Sequence, residues 1–322
     1  MIFAHLARHL LARRGQSTPA SWILSVVRSL RVLRYWREHQ ALCRLDLVRR
    51  FVAAPPNDDL FHHLSHRSYL ATGLSARQRV QCVLSHYRFE DSAFGSAYHQ
   101  LVYGAKGSGG LCLWQQDSGG HSFLLRLEMA PRGDAEGDLT ISLVADGKYL
   151  HRLSYTWIDG RLAGVDLPTV PFVTRNQGRW IDSGAAFDAF ELAFPNNSPS
   201  FFCFAAMQGV AQALGIDRVI GIKCSAHIAY NPRDVKHFEN AYDGFWKVLG
   251  GTEMPGRGYL ITLPFYLKPL SEMPSKHRKR AAQRREYWRT IGDATRSTLL
   301  RHMVPAQADQ MHKVSTPATA QA

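Results

Sequence analysis

The spacing of apolar positions changes along this chain, and the changes divide it into zones. Between Pro19 and Phe51 apolar residues recur every three or four positions, at Trp22, Ile23, Val26, Leu30 and Leu33, with Arg28, Arg31, Arg34 and Arg37 between them. This is the pattern of a long amphipathic helix. Two prolines and an Asn-Asp-Asp run within 53–59 stop it. Two short helices follow, the second opened by a capping box with Ser75 as N-cap and Gln78 as its partner.

From 110 to 157 the period falls to two. Four apolar or β-branched runs (110–116, 122–130, 138–146 and 149–157) are separated by Gly- and Asp-rich turns. The dipeptides Asp146-Gly147 and Asp159-Gly160 mark tight turns, so the zone predicts an antiparallel meander, with 163–175 as a candidate further strand. A helix at 198–215 then has Ser198 as N-cap, Pro199 in its first turn and Gly215 at its stop. A buried strand at 216–224, a helix at 231–251 and a closing strand at 257–267 complete the alternation.

A meander followed by helix, strand, helix and strand predicts an α+β fold: N-terminal helices, then an antiparallel or mixed sheet flanked by helices. The stretch 275–292 predicts a separate basic surface helix, and the polar end a disordered tail. The expected organisation is a basic helical segment at 1–52, a core domain at 53–270, a basic helix at 271–302 and a tail at 303–322.

Composition adds a charge division. The chain has 322 residues, 45% of them apolar, which is enough for one large core. Its net charge of +13 is concentrated at the ends: residues 1–52 hold ten arginines against Glu38 and Asp46. Residues 268–302 hold ten Lys or Arg against Glu272, Glu286 and Asp293, while the middle is close to neutral. Basic ends on a neutral body suit an anionic membrane surface, an acidic carrier protein or a nucleic acid. No RNA-recognition signature or zinc knuckle supports nucleic acid. Five scattered cysteines without a CxxC pair read as reduced, buried thiols. No run of eighteen apolar residues occurs, and the first residues lack the unbroken apolar run of a secretory signal. The chain is therefore expected to be cytoplasmic, with its basic ends able to hold it peripherally on the inner membrane.

Three stretches are candidates for chemistry. In "PFVTRNQGRWIDSG" (171–184), Arg175, Asn176, Gln177, Gly178, Arg179 and Trp180 crowd basic and amide groups around one glycine. Such a loop either cradles an anion such as a pyrophosphate, or is a structural turn in which Gly178 supplies φ > 0. In "FPNNSPSFF", Asn196, Asn197 and Ser198 form a helix entrance, whose side chains cap the first turn or whose free N–H groups hold a phosphate. In "KCSAHIAYN", at the end of the buried strand, Lys223, Ser225 and His227 alternate with Tyr230 close by. His227 as base and Tyr230 as acid, beside Ser225, would suit amine-to-acyl transfer; the alternative is ordinary strand-end polarity. Cys224-x-x-His227 is half of a zinc pattern without its complement, so no metal is expected.

Several of these segments also carry a family likeness. "SYLATGLSARQRVQCVLSHYRFE", "EGDLTISLVADGKYLHRLSYTWIDG", "PFVTRNQGRW", "AFPNNSPSFFCFAAMQGVAQALGIDRVIGI" and "HIAYNPRDVKHFENAYDGFWKVLGG" resemble, in order, the VirK/YbjX family of bacterial proteins. The resemblance covers roughly 55–290 and implies a role in virulence, envelope maintenance and resistance to antimicrobial peptides, without established catalytic residues. The order of elements is also similar to that of GNAT-type acyltransferases. That likeness implies coenzyme A, or an acyl carrier protein thioester, as donor, held by the basic loop; Trp180 stands where that fold's loop has a small residue. The expectation is an acyltransferase-like protein of envelope maintenance at the cytoplasmic face of the inner membrane. The alternative is a non-enzymatic lipid- or RNA-binding factor controlling expression of envelope or virulence proteins.

Overall fold

The computed structural model describes residues 18–52, 68–104, 109–130, 135–178 and 181–305, and before them only Phe3, Ala4, Leu6, Ala7 and Leu11. The break expected at 53–59, Arg179, Trp180 and the chain beyond Pro305 lie outside the described residues.

The first helical zone is not one helix. It runs as α1 (Pro19–Leu30), a 3-10 turn (Arg31–Tyr35), α2 (Trp36–Cys43) and a π turn (Val48–Val52). The bends bring Leu42, Leu47, Val48 and Val52 into the core, and Asp91 Oδ1 accepts from Leu47 N at 2.7 Å. A helical period records which face is apolar, not where a helix must bend to follow a body. α3 (Ala76–Ala93) opens at the expected capping box: Ser75 Oγ accepts from Gln78 N at 3.2 Å, and Gln78 Oε1 accepts from Ser75 N at 2.9 Å. α4 (Ser96–Tyr103) follows.

The meander is as expected: β1 (Leu111–Ser118), β2 (His121–Met129), β3 (Leu139–Ala145) and β4 (Lys148–Ile158) pair antiparallel in sequence order. β5 (Val170–Gly178) adds to β4 antiparallel and then pairs parallel with β6 (Arg218–Ile222). The chain crosses between these two strands through α5 (Gly184–Ala193) and α6 (Pro199–Ala213), as a parallel pair requires. After β6 come α7 (Val235–Glu239), a π turn (Asn240–Gly244), α8 (Phe245–Val248), β7 (Thr252–Glu253), β8 (Gly258–Thr262) and α9 (Ser275–Leu300). The eight strands form a single sheet in the order β1-β2-β3-β4-β5-β6-β8-β7, so the fold is mixed α+β. α5 occupies a stretch to which no element was assigned, and the strand expected to end at Arg175 runs on to Gly178, so "NQG" is a strand end rather than a loop.

Every residue of β3 is buried, which requires cover on both faces of the sheet. On one face Leu139, Ile141, Leu143 and Ala145 sit beside Phe123, Leu125 and Leu127. Phe123 meets Phe194 at 4.9 Å and Phe190 at 6.1 Å, and Trp114 meets Phe202 at 5.7 Å. The other face is polar: Thr140 Oγ1 lies 2.9 Å from Ser154 Oγ, and Ser142 Oγ donates to Glu128 Oε1 at 2.7 Å.

α9 is not the separate surface helix that its charge suggested. Its basic first half is largely exposed, but Ile291, Thr295 and Leu299 are buried, and it packs along α6. The crossing is close because Gly209 lacks a side chain: a Cβ there would lie 2.4 Å from Gly292 O. The segment after α9 is fixed in place, since Val304 N donates to Ala93 O at 3.0 Å and Gly95 N to His302 O at 3.0 Å. Residues 303–304, expected in the tail, are thus held against the body, and the rest of that expectation lies outside the described residues.

Buried polar groups tie α3 to the sheet. Trp157 Nε1 donates to Glu90 Oε1 at 2.6 Å, and Trp157 N to His86 Nδ1 at 3.3 Å. That leaves His86 Nε2–H to donate to Tyr103 OH at 3.0 Å. The hydroxyls of Tyr69 and Tyr87 donate to Asp138. Burial pushes the Glu90 carboxyl up to about 7 and the His86 imidazole down to about 4.

Candidate functional site

β5 and β6 are joined only at Phe172–Ile220 and Val173–Gly221. β6 stops at Ile222 while β5 runs on to Gly178, so the sheet forks. At the root of the fork the Trp246 ring lies on Gly221, where a Cβ would be 2.4 Å from Cδ2. β5 also carries a bulge there: Ser154 pairs with Arg175 and Tyr155 with Val173, leaving Thr174 as the extra residue. The π turn Asn240–Gly244 closes on the open side of the fork, with Asn176 Nδ2 donating to Ala241 O at 2.8 Å. Single π turns inside helices often accompany functional sites.

Outside the end of β5 lies a cleft of about 390 Å³. It is bounded by Asn176, Gln177 and Gly178 of β5, His151 of β4 and Phe187 of α5. Pro199 and Ser200 of the first turn of α6, and Asn240, Ala241 and Phe245 beyond β6, close it. Among the described residues that line it, the one titratable side chain is His151. His151 Nε2 lies 2.8 Å from Asn176 Oδ1, and the Asn176 amide is oriented by its bond to Ala241 O. Asn176 therefore presents its oxygen to His151, so Nε2 carries the proton and Nδ1 keeps its lone pair. Among the described residues Nδ1 has no hydrogen-bond partner. Burial holds the imidazole down at about 4, against the Asn176 bond, which raises it. His151 is not among the residues that the sequence singled out; its cross-strand neighbour Gly178 was the available sign.

The expected site residues divide between locations. Asn176, Gln177 and Gly178 reach the cleft, but not as a loop. Gly178 does not have the positive φ of a turn glycine; a Cβ there would lie 2.3 Å from Leu150 O and 2.7 Å from His151 Nδ1. Arg175 turns away from the cleft to pair with Glu136, Nη1 to Oε2 at 3.2 Å, both side chains nearly buried. Arg179 and Trp180 are outside the described residues.

His227 is fully buried behind the cleft. Its Nδ1 accepts from Ala229 N at 3.1 Å, so Nε2 is the protonated nitrogen, 3.1 Å from Glu136 Oε1 and 2.9 Å from Tyr242 OH. Burial first, and Glu136 second, hold the Tyr242 hydroxyl well above its usual range, while a Gln177 side-chain hydrogen bond opposes them. Arg175, Glu136, His227 and Tyr242 thus form a buried polar line reaching the cleft wall at Gln177. The partner of His227 is Tyr242, not Tyr230, whose ring packs on Phe238 at 5.7 Å. Because β6 ends at Ile222 and Cys224–Ala226 is a 3-10 turn, Lys223, Ser225 and His227 do not alternate on one face. Ser225 is exposed, and Lys223 Nζ bonds Met254 O at 2.6 Å and Glu253 at 2.9 Å.

Asn196, Asn197 and Ser198 form the entrance to α6 but face a second groove. Ser198 makes no side-chain cap bond; its Oγ lies 2.8 Å from Ser200 Oγ instead.

The buried groups set an acid dependence of stability. His86 and His151, with folded values near 4, contribute stability that is present above their ordinary 6.5 and lost as pH falls through 4. Glu90, raised from 4.5 to about 7, acts in the opposite sense, and its contribution is lost as pH rises through 7. Midway between pH 4.5 and 6.5 these three groups bind nearly two more imidazole protons and nearly one fewer carboxyl proton in the unfolded chain than in the folded one. Stability is then expected to fall by roughly 1 kcal/mol per pH unit on acidification. Urea unfolding across this range checks the slope, and Glu90→Gln is expected to about double it. A flat profile in both proteins would contradict the assignment.

Comparison with known proteins bears on both halves of the molecule. The profile of a family described as a protein of unknown function, DUF535, matches residues 26–164 and 198–293. The stretch it leaves out contains β5 and α5, so it includes His151, Ser200 and the π turn but not Asn176. The uncharacterized protein YbjX of Escherichia coli strain K12 is 26% identical over 228 residues, 69% of this chain and 66% of that protein. The chain thus spans just under two thirds of that relative's length. No solved structure matches. No described helix is long and apolar enough to cross a membrane. The profile match covers most of the chain, from within α1 to within α9, and on that extent the chain belongs to the VirK/YbjX (DUF535) family.

Proposed function

We propose that the cleft is an acyl-transfer site, taking a thioester of coenzyme A or of an acyl carrier protein as donor and an amine or hydroxyl as acceptor. The observation that carries this reading is His151, held in one tautomer by Asn176 with Nδ1 open, in a cleft that meets the first turn of α6. The acceptor attacks the thioester carbonyl; its proton passes to His151 Nδ1 as the new C–N or C–O bond forms. The C–S bond then breaks, and the departing sulfur takes the proton back. Pro199 has no N–H, and those of Phe201 and Phe202 donate to Ser198 O, so the N–H of Ser200 is the donor of this turn that suits the developing oxyanion. The order of elements, with a crossover between parallel strands, agrees with the acyltransferase likeness.

A membrane setting has separate support. On α1, Ile23, Leu24, Val27 and Leu30 are each half exposed or more, with Arg31, Arg34 and Arg37 just beyond. An apolar helix face beside arginines suits the surface of an anionic bilayer. The acceptor would then be an envelope component, in keeping with the virulence and peptide-resistance setting of the family likeness.

Thermal unfolding with acetyl- and decanoyl-coenzyme A tests the donor. At a hundred times its dissociation constant a donor stabilises the native state by about 2.7 kcal/mol. Ser200→Trp, which fills the cleft, is expected to abolish the shift. Absence of any shift in the natural protein would sink the donor reading and leave a non-enzymatic binding role.

A further inference from the structure

On the far side of the first turn of α6 lies a groove of about 450 Å³, within the range of small-molecule sites. Its floor is Phe201 stacked on Trp288 at 4.7 Å, and its open wall carries Val248, 61% exposed, and Tyr266, 57% exposed. Large apolar side chains left this open beside a concave floor are uncommon on a soluble surface. The polar lining has one sign. Lys268, Arg284 and Arg285 border the groove, no acidic residue lines it, and none of the three pairs with a carboxylate among the described residues.

Three further observations point to a missing acceptor. Trp288 is only 9% exposed, yet among the described residues its Nε1 has no hydrogen-bond partner. Arg284 Nε is likewise buried without one, although Nη1 donates to Asn196 O at 3.3 Å. The first turn of α6 lacks a side-chain cap, so its positive end also faces this entrance. A buried donor without a partner costs about 1–3 kcal/mol, and one anionic head can satisfy several.

We infer that this groove is a binding site for an anionic amphiphile, an acyl chain lying along Val248, Tyr266 and Phe201 with its phosphate or carboxylate head among Lys268, Arg284, Arg285 and the start of α6. The inference does not rest on the acyl-transfer reading. It gives the basic first half of α9 a particular role: that half supplies the head-group cations, while the second half anchors the helix in the core.

Titration calorimetry with dodecyl phosphate, dodecanoate, dodecanol and inorganic phosphate tests it. Dodecyl phosphate and dodecanoate are expected to bind at one site, at least tenfold tighter than dodecanol, with inorganic phosphate weaker still. Val248→Asp, which sets a carboxylate in the exposed wall, and Lys268→Gln with Arg285→Gln are each expected to weaken the alkyl anions tenfold or more at unchanged melting temperature. Competition by phosphatidylglycerol but not phosphatidylcholine vesicles identifies a membrane lipid as the source; no competition identifies a soluble amphiphile. Equal binding of dodecanol, many binding sites per chain, or unaltered affinity in both variants would overturn the inference.

Discussion

Trp157→Ala is expected to lower stability by about 3–5 kcal/mol, the usual cost of emptying a buried tryptophan site. The ring is fully buried, 4.8 Å from Phe89 and 5.4 Å from Tyr155, at the junction of α3 with β4. Its loss also deprives Glu90 of a 2.6 Å donor, and the indole bond is the largest influence holding that carboxyl down against burial. Glu90 should then stay protonated to higher pH than about 7. Trp157→Phe separates the two effects, since it keeps most of the packing and removes the N–H, with an expected cost of about 1–3 kcal/mol. Urea unfolding of the three proteins at pH 7.5 provides the check. If Trp157→Phe matched the natural protein, the hydrogen bond would contribute nothing, and the buried network would owe its stability to packing alone.

If the cleft is the acyl-transfer site proposed above, His151→Gln is expected to lower turnover by about 10²–10⁴-fold while leaving the donor's dissociation constant nearly unchanged. Glutamine can still donate to Asn176 but offers no base at the position of Nδ1. Asn176→Ala should also reduce turnover, because nothing then selects the tautomer. Since the His151 imidazole is held at about 4, the acid limb of kcat/KM should lie near pH 4 and not near 6.5. The measurement is transfer from decanoyl-coenzyme A to a primary amine across pH 4–8, with melting temperatures alongside. A variant that loses stability but not rate would make His151 a structural residue.

The sequence was most informative where structure is local. A period of two, β-branched runs and Asp-Gly turns fix strands within a few residues of chain, so the meander was legible, as was the Ser75–Gln78 capping box. The α6 helix was legible too, because Ser198, Pro199 and Gly215 mark its ends. At the site, the glycine of "NQG" stood out for its composition, but composition alone suggested a loop. It is a strand end, and the glycine is needed because Leu150 and His151 on the neighbouring strand leave no room for a Cβ.

Only the tertiary structure decided which residues meet. His151 and Asn176 are 25 positions apart, and Trp157 and Glu90 are 67 apart. Neither pairing leaves a mark in the local pattern. The fork between β5 and β6 depends on Trp246 packing over Gly221, and the arrangement of His227 depends on Glu136 and Tyr242 arriving from different segments. The basic helix shows the division most directly. Its sequence determined that it would be helical and charged, because those properties belong to the residues themselves. That it lies against α6 through Gly209 and Gly292, with Arg284 and Arg285 bordering a groove, was decided by the close approach of two distant backbones, which a linear pattern does not encode.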